Sequence, residues 1–343
     1  MAKVLVGMSG GVDSSVAALK LIEQGHDVTG CTLLLRSGDG CGSQNDVDDA
    51  VAVCKKLGIK HIAPDMTALF EKKVIKKFSD DYMSGRTPNP CVECNRFVKF
   101  GAMLDFALEH GFDFIATGHY AVIKENDGVF TLHAAEYKDQ SYFLYRLTQH
   151  QLRHTLFPVS GFSKEQIRSF AKDAQLPVHA KRDSQDVCFI PDGNVAGFLS
   201  SRGFVLKSGD ILDENGTKLG THNGAASYTV GQRKGLGGGY PQPMFVLRTD
   251  IEKNTVTIGT QDKLFFSCVR CTDASFVSSV VPASPFEAQV KLRFAAKAAD
   301  ALVLHEPDGV FTIMFKTPQR APTPGQSAVF YDDDRVLGGA IIM

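Results

Sequence analysis

A glycine-rich loop near the start of the chain has the residues to bind an anion. Residues 7–15, the glycine loop, read Gly-Met-Ser-Gly-Gly-Val-Asp-Ser-Ser and lie between a strand pattern and a helix pattern. Backbone N–H groups at a helix start converge on one place, and the helix dipole favours negative charge there. Asp13 can hold Mg²⁺ between phosphates. The loop lacks the Gly-Lys-Ser/Thr ending of a Walker A motif and the Gly-x-Gly-x-x-Gly spacing of dinucleotide folds.

Eight cysteines offer thiol chemistry. They are Cys31, Cys41, Cys54, Cys91, Cys94, Cys188, Cys268 and Cys271. The chain opens with a strand pattern and not with a signal peptide, so we expect a cytoplasmic protein whose thiols stay reduced. Cys188 follows the basic pair Lys181 and Arg182, which favours a thiolate. We expect Cys268 and Cys271 to have only a structural role at a strand end.

A Cys-x-x-Cys pair is the second thiol site. Cys91 and Cys94 follow a turn with two prolines and precede a helix that we expect to start near Phe97. A helix N-terminus lowers a thiol pKa, and so do the nearby cations Arg96 and Lys99. Thiols of this kind are candidates for metal or sulfur chemistry.

Alternating strands and helices must position these groups. Strands are predicted at 4–7, 28–35, 60–64 and 112–117, and helices at 13–24, 46–57, 67–83 and 97–110. This rhythm predicts an α/β fold with a doubly wound parallel sheet. Ligands bind such sheets beyond the carboxyl ends of the strands, where the glycine loop lies.

The remaining sequence divides into two further regions. Residues 139–199 are expected to be mostly helical, with a capping signal at Ser163 and Gln166. Beyond Gly203 glycines cluster, and short strands are predicted at 255–258, 286–294, 301–304, 310–315 and 327–331. We therefore predict an α/β domain at 1–200, a small central connecting domain at 201–266 and a C-terminal β-barrel at 267–343.

Charge and hydropathy limit the partners. The formal net charge is −1, from 37 Lys and Arg against 38 Asp and Glu, which argues against a large basic surface for nucleic acid. Two stretches are nonetheless locally basic, 71–101 and 146–188, each with seven cations against four acids. No apolar run approaches the ~18 residues of a membrane span. We expect neither a membrane nor DNA as a partner.

The motifs together resemble a known family. They are Ser-Gly-Gly-x-Asp-Ser in the glycine loop, Gly-Arg-Thr-Pro-Asn-Pro at 85–90, Cys94-Asn95, Ala-Thr-Gly-His-Tyr at 116–120, Lys-Asp-Gln-Ser-Tyr-Phe-Leu at 138–144, Asp183-Ser184 with Cys188-Phe-Ile, Ser-Tyr-Thr-Val-Gly-Gln-Arg-Lys-Gly-Leu at 227–236, and Pro-Gly-Gln at 324–326. The set resembles the bacterial tRNA-specific 2-thiouridylases, which are PP-loop ATP pyrophosphatases with an adenine nucleotide alpha-hydrolase-like fold. The same loop alone occurs in other PP-loop ligases.

The resemblance implies a reaction. ATP would adenylate O2 of the wobble uridine U34 in tRNA, with Lys, Glu and Gln acceptors as the expected substrates. Cys188 would carry sulfur as a persulfide received from a donor protein. Cys94 would be its partner, attacking the persulfide or closing a disulfide as sulfur passes to C2. The two cysteines must then come within disulfide reach at some stage.

The resemblance also implies site residues. For ATP they are Gly7, Met8, Ser9, Gly10, Gly11, Val12, Asp13, Ser14, Leu33 and Gly118. Around the target base they are Asn89, Pro90 and Cys91, and further tRNA contacts are His119, Lys138, Asp139, Gln140, Arg293, Phe294 and Gln326.

One departure leaves the mechanism open. Many members have Asp where this chain has Cys91, so a general base at that position is in doubt. Cys91, Cys94 and Cys188 could instead ligate a [4Fe–4S] cluster, as in related tRNA thiolases. A small-molecule PP-loop ligase and a non-catalytic tRNA-binding protein are the competing functions.

Overall fold

We describe residues 1–36, 42–181 and 187–343 of the chain from a computed structural model. Cys41, Arg182, Asp183 and Ser184, which the sequence motifs include, lie outside the described residues.

The first region contains seven strands and nine helices in the described residues. The strands are β1 (Lys3–Gly7), β2 (Asp27–Cys31), β3 (Lys60–Ile62), β4 (Phe114–Thr117), β5 (Ala121–Asn126), β6 (Val129–Ala134) and β7 (Thr155–Leu156). The helices are α1 (Val12–Glu23), α2 (Gln44–Leu57), α3 (Thr67–Phe70), α4 (Lys76–Met83), α5 (Pro90–Glu93), α6 (Met103–Glu109), α7 (Gln149–Arg153), α8 (Lys164–Asp173) and α9 (Val195–Ser201). None of the helices in the described part is long and apolar enough to cross a membrane.

The predicted doubly wound sheet is confirmed. Five parallel strands lie in the order β3-β2-β1-β4-β7, so the order reverses between β1 and β4. Successive side chains of a strand point to opposite faces. Leu5 accordingly packs with α4 and α6, whereas Val4 and Val6 pack with α1, α2 and α8.

Two longer helices each contain a π-helical segment. Residues 71–75 join α3 to α4, and Cys94–Ala102 joins α5 to α6. We call residues 90–109 the thiol helix. It begins at Pro90, not near Phe97 as the sequence predicted, because proline fits the first helical position, where no N–H is needed.

The two later regions are built of strands, as predicted. In the central region β8 (Gly209–Leu212), β9 (Lys218–His222), β10 (Phe245–Asp250) and β11 (Thr255–Gly259) form a sheet in the order β10-β11-β8-β9. In the last region β12 (Phe265–Phe276), β13 (Phe286–Lys291), β14 (Ala299–His305), β15 (Phe311–Arg320), β16 (Ser327–Asp332) and β17 (Arg335–Ile342) form the barrel. Their order is β12-β15-β14-β13-β16-β17, and pairing of β12 with β17 closes it.

Two features differ from the sequence expectations. Residues 139–199 hold only short helices, although the capping box at Ser163 and Gln166 forms as predicted. The hairpin of β5 and β6 was not predicted, and it joins the barrel sheet because β6 pairs with β17. The first region is thereby linked to the last by backbone hydrogen bonds. The division at 1–200, 201–266 and 267–343 stays a prediction.

Candidate functional site

The glycine loop lies at the switch point between β1 and β4. Gly10 has a positive φ of 65°, and α1 begins two residues later. The loop is closed by its own serines: Ser9 N donates to Ser14 Oγ (3.2 Å), and Ser14 Oγ donates to the carbonyl of Gly11 (3.2 Å). The first N–H groups of α1 have no acceptor within the helix and face the carboxyl end of the sheet, an arrangement that can bind an anion.

Gly118 approaches this loop from the end of β4. A Cβ at Gly118 would lie 2.6 Å from the backbone N of Ser14, so only glycine fits. Leu33, two residues after β2, lies at the same sheet edge with its side chain buried. Leu33 and Gly118, both predicted to bind ATP, thus lie just after the carboxyl ends of β2 and β4, the edge at which such sheets bind nucleotides.

Asp13 organises two lysines at the loop. Its Oδ1 accepts from the hydroxyl of Tyr120 (2.8 Å) and from Lys164 Nζ (2.6 Å), and its Oδ2 accepts from Lys138 Nζ (3.1 Å). The Asp13 carboxylate, which the sequence predicts as a Mg²⁺ ligand, thus accepts hydrogen bonds from three donors. Two ammonium groups beside one carboxylate leave a net positive charge, so this cluster fits a phosphate better than it fits a cation.

Lys164 and Tyr120 were missed as site residues by sequence reasoning. Lys164 is the first residue of α8, directly after the capping Ser163. Tyr120 ends the Ala-Thr-Gly-His-Tyr motif and is fully buried. The capping signal was the clue that could have placed a lysine at a helix start, but only the fold brings that start to Asp13.

Cys94 lies inside the thiol helix. It is buried and begins the π-helical segment, whereas Cys91 one turn earlier is exposed. Its neighbours fix the helix: Asn95 Nδ2 donates to the carbonyl of Phe143 (3.1 Å), and Glu93 pairs with Arg146 (3.3 Å). The lowered pKa expected for the Cys94 thiol stays a prediction.

Cys188 lies on a segment anchored by aromatic packing. It is half-buried, and the ring of the next residue, Phe189, packs edge-on against Phe78 at a centroid distance of 5.0 Å. Phe198 lies 5.3 Å from the same ring. The segment is therefore fixed on α4 and α9. The approach of Cys188 to Cys94 within disulfide reach stays a prediction.

Three other cysteines are poor nucleophiles. Burial raises the pKa of Cys31 to about 12 and that of Cys54 to about 11. Burial, and then the nearby Cys268, raises the pKa of Cys271 to about 12. Cys268 is exposed, and both residues lie within β12 instead of at a strand end.

The alternative [4Fe–4S] cluster finds no ligand set. Across residues 1–36, 42–181 and 187–343, no group of three or more His, Cys, Asp or Glu side chains is arranged to hold a metal ion. Cys91, Cys94 and Cys188 are not brought together as such a group, and we derive no step through a cluster.

The segment before Cys91 is held by the barrel. Thr87 N donates to the carbonyl of Pro324 (2.7 Å), and Gln326 Nε2 donates to the carbonyls of Thr87 (2.8 Å) and Pro88 (3.2 Å). Asn89 contacts the hydroxyl of Tyr142, and Pro90 is buried. The predicted target-base residues thus form a fixed turn at the start of the thiol helix.

His119 is placed in an aromatic environment. Its ring lies 5.7 Å from that of Phe100 and 6.2 Å from that of Phe157, and Nδ1 contacts Thr117 Oγ1 at 2.8 Å. Burial, and then the nearby Lys99 cation, holds the pKa of His119 well below its usual value. The imidazole is neutral at pH 7, so it can stack or hydrogen-bond but adds no charge.

Most other predicted tRNA contacts make internal bonds. Asp139 accepts from Ser141 N (2.9 Å), and Gln140 Oε1 accepts from Tyr120 N (3.1 Å). Arg293 donates to the carbonyl of Val230 (2.9 Å). Phe294 is the exposed member at 42%, and its ring lies 4.5 Å from that of Phe143. Their roles in RNA binding stay predictions.

Three family models match the chain in succession. The tRNA methyl transferase HUP domain matches residues 2–192, the tRNA methyl transferase PRC-barrel domain matches 197–260, and the aminomethyltransferase beta-barrel domain matches 266–342.

Curated relatives match over nearly the full length. The tRNA-specific 2-thiouridylase MnmA of Acetivibrio thermocellus is 46% identical, covering 99% of this chain and 99% of its own. Its counterpart in Clostridium perfringens is 44% identical, covering 99% and 98%. That of Clostridium acetobutylicum is 42% identical, covering 99% of both.

Proposed function

Because the chain belongs to the family of tRNA-specific 2-thiouridylases, we propose that it converts the wobble uridine U34 of tRNA to 2-thiouridine with ATP. The observation that carries this is the thiol helix. Cys91 and Cys94 lie in its first turns, and farther along it Met103 Sδ would lie 3.2 Å from a Cβ on Gly7. One rigid element therefore runs from the glycine loop to the thiols, over roughly 14 Å from Cys94 to Met103.

The first half of the reaction belongs to the glycine loop. O2 of U34 attacks the α-phosphate of ATP, and the bond to pyrophosphate breaks. The N–H groups of the loop, together with Lys138 and Lys164, stabilise the negative charge of the phosphates. We also propose Mg²⁺ as the companion of ATP; Asp13 could serve it only if the lysines shift to the phosphates. ATP activates the uridine because AMP leaves C2 readily.

The second half belongs to the two thiols. Cys188 accepts sulfur as a persulfide from a donor protein, and its outer sulfur passes to C2 as AMP leaves. The thiolate of Cys94 attacks the Sγ of Cys188, so the S–S bond of the persulfide breaks and a Cys94–Cys188 disulfide forms. Two external thiol groups then reduce this disulfide by two electrons, through a mixed disulfide, and leave as a disulfide themselves. Cys91 replaces the usual Asp and is exposed beside the target base, where its thiol gives softer contact than a carboxylate.

The same proposal also implies which tRNAs are substrates and where the protein acts. We expect tRNA acceptors for Lys, Glu and Gln as substrates and the cytoplasm as the location. The basic stretch 71–101 contains α4 and the first part of the thiol helix, and 146–188 contains α8, whose Lys164 contacts Asp13. RNA loops are read mainly by splayed bases in pockets, so a chain of net charge −1 can bind tRNA through local patches.

Cysteine variants test the proposal. Cys188→Ser should abolish 2-thiouridine formation while tRNA-dependent release of pyrophosphate continues, because only the sulfur carrier is lost. Cys94→Ser should likewise stop turnover. Cys268→Ser, which removes an exposed thiol on the barrel, is the matched control and should be active. The measurements are 2-thiouridine in digested tRNA and pyrophosphate release.

Two results would contradict the proposal. Normal thiolation by Cys188→Ser would remove the persulfide role of Cys188. Pyrophosphate release that needs a small amine and no tRNA would instead indicate a small-molecule ligase.

A further inference from the structure

The motif at residues 227–236 has no role in the reaction described above, and it forms an unusually well-supported turn. Gly231 and Gly235 have positive φ values of 85° and 77°. The side chain of Gln232 accepts from Thr229 N (3.1 Å) and donates to the carbonyl of Lys234 (2.9 Å). We call residues 231–235 the cationic turn. Its shape is set by bonds within the motif, so its side chains start from a fixed backbone.

Three side chains that are not part of residues 231–235 also hold the cationic turn in place. Tyr228 donates its hydroxyl to the carbonyl of Gly235 (3.1 Å), and Tyr240 donates to that of Leu236 (2.8 Å). From the barrel, Arg293 donates to the carbonyls of Val230 (2.9 Å) and Ala321 (3.2 Å). Arg293 is therefore a support of the turn. Its guanidinium is committed to the contact between the central region and the barrel.

The cationic turn presents two exposed charges. Arg233 and Lys234 point from it with exposed side chains, and within the described residues neither has an acidic partner within ion-pair distance. The surrounding sequence contains no acidic residue: residues 215–249 include four Lys or Arg and no Asp or Glu. By contrast, Lys218 and Lys253 of the same region pair with Asp210 and Asp250.

The turn lies beside the segment that leads to the thiols. Thr229 Oγ1 contacts Thr87 Oγ1 at 3.0 Å, and Thr87 begins the turn that enters the thiol helix. An RNA strand that places a base at Cys91 must therefore pass near the central region, to which the cationic turn belongs. Leu236, which directly follows the cationic turn, is buried and so is not available as an apolar anchor for a protein partner. Protein interfaces need such anchors, whereas phosphate contacts do not.

We propose that Arg233 and Lys234 bind phosphodiester groups of the tRNA backbone, so that the cationic turn fixes the position of the RNA while the target base is read elsewhere. This rests on the proposed function for the identity of the RNA. The ligand class is a polyanionic RNA backbone, and the contact carries no sequence information.

The test is tRNA binding as a function of salt. The variant Arg233→Ala/Lys234→Ala should bind an unmodified tRNA with U34 roughly tenfold more weakly at low salt, and the slope of log affinity against log salt should fall by about 1.5, since each phosphate contact contributes about 0.7 to 0.9. Thiolation at saturating tRNA should continue, with a raised KM.

Two controls separate charge from structure. Lys218→Ala/Lys253→Ala makes the same change in net charge in the same region and should leave affinity and slope within about twofold. Arg233→Lys/Lys234→Arg keeps the charges and should bind as the unaltered chain does. Loss of binding in this charge-retaining variant would mean that the residues hold the turn together, and would overturn the inference.

The remaining outcomes are also decisive. An unchanged affinity and slope in the double alanine variant would overturn the inference. So would normal tRNA binding with loss only of sulfur uptake from a donor protein, which would assign the turn to a protein partner. If the unaltered chain binds tRNA but forms no 2-thiouridine, the proposed function fails, and the salt slopes still decide the turn.

Discussion

At the scale of single residues, the candidate site depends on a glycine at a position that has no room for a side chain. Gly118 allows β4 to meet the glycine loop, and a methyl group there would reach within 2.6 Å of Ser14 N. Relief of such a clash requires movement of the loop backbone. The N–H groups that we propose to bind phosphate would move with it.

We therefore expect Gly118→Ala to lower the rate of tRNA-dependent pyrophosphate release by roughly tenfold or more, since overpacking of about 1 to 3 kcal/mol corresponds to one to two decades in rate. Gly161→Ala is the control, because a Cβ there meets nothing within 4 Å. The initial rates of both variants at saturating ATP are the measurement. Equal rates would show that the loop tolerates displacement.

Residue types predicted the chemistry better than they predicted the contacts. The glycine loop, Cys94 and Cys188 carry signals in their local sequence. Lys164 does not, because its partner Asp13 lies 151 positions away and only the packing of α8 on α1 brings them together. Arg293 stays a predicted RNA contact, and no local signal in the sequence indicates its hydrogen bonds to the carbonyls of Val230 and Ala321.

At the scale of elements, the thiol helix is held to the barrel by one buried cation. Arg146 is 3% exposed and lies between Glu93 (3.3 Å) and Asp273 (2.5 Å). It also donates to the carbonyl of Asp273 (2.8 Å), at the bulge of β12. Glu93 adjoins Cys94 in the thiol helix, so this pair determines how the helix meets the barrel.

Arg146→Met should destabilise the protein strongly, because it leaves the Glu93 carboxylate buried without a partner. Loss of one member of a buried pair costs about 3 to 5 kcal/mol, which predicts a fall of roughly 6 °C or more in the thermal midpoint. Arg335→Met, which removes an exposed pair with Asp332, should change it little. Restoration by adding Glu93→Met would support this reason. A midpoint equal to that of Arg335→Met would contradict it.

Element types were predictable where the pattern was periodic. The strands and helices up to Thr117 followed from alternating apolar runs. The start of the thiol helix could not be predicted in this way, because Pro90 suits both a turn and the first position of a helix. The β5–β6 hairpin could not be predicted from its local sequence, because β6 also pairs with β17, some 200 residues later.

At the scale of the whole molecule, the barrel shapes the active site from outside. Gln326 donates to two carbonyls of the segment before Cys91, and a Cβ on Gly325 would lie 2.9 Å from Cβ of Arg86. The loop at 324–326 therefore fits closely against the segment that carries Asn89.

Gln326→Glu should separate this positioning from RNA binding. A carboxylate cannot donate to the carbonyls of Thr87 and Pro88, and the loss of about 1 to 3 kcal/mol predicts roughly tenfold slower thiolation at saturating tRNA. The Kd for tRNA should change by less than about threefold. Gln319→Glu, which removes a donor to the carbonyl of Thr317 (2.8 Å) on the same barrel, is the control. A large rise in Kd with an unchanged rate would instead make Gln326 an RNA contact.

The pairing of β6 with β17 also affects how the chain is made. The ribosome releases the hairpin about 200 residues before Arg335 and Val336 exist to pair with it, which at typical synthesis rates is roughly 10 to 40 s. During that interval one edge of the hairpin has unpaired N–H and C=O groups, and such edges recruit other strands. The edge of β6 is thus paired only when β17 has been synthesised.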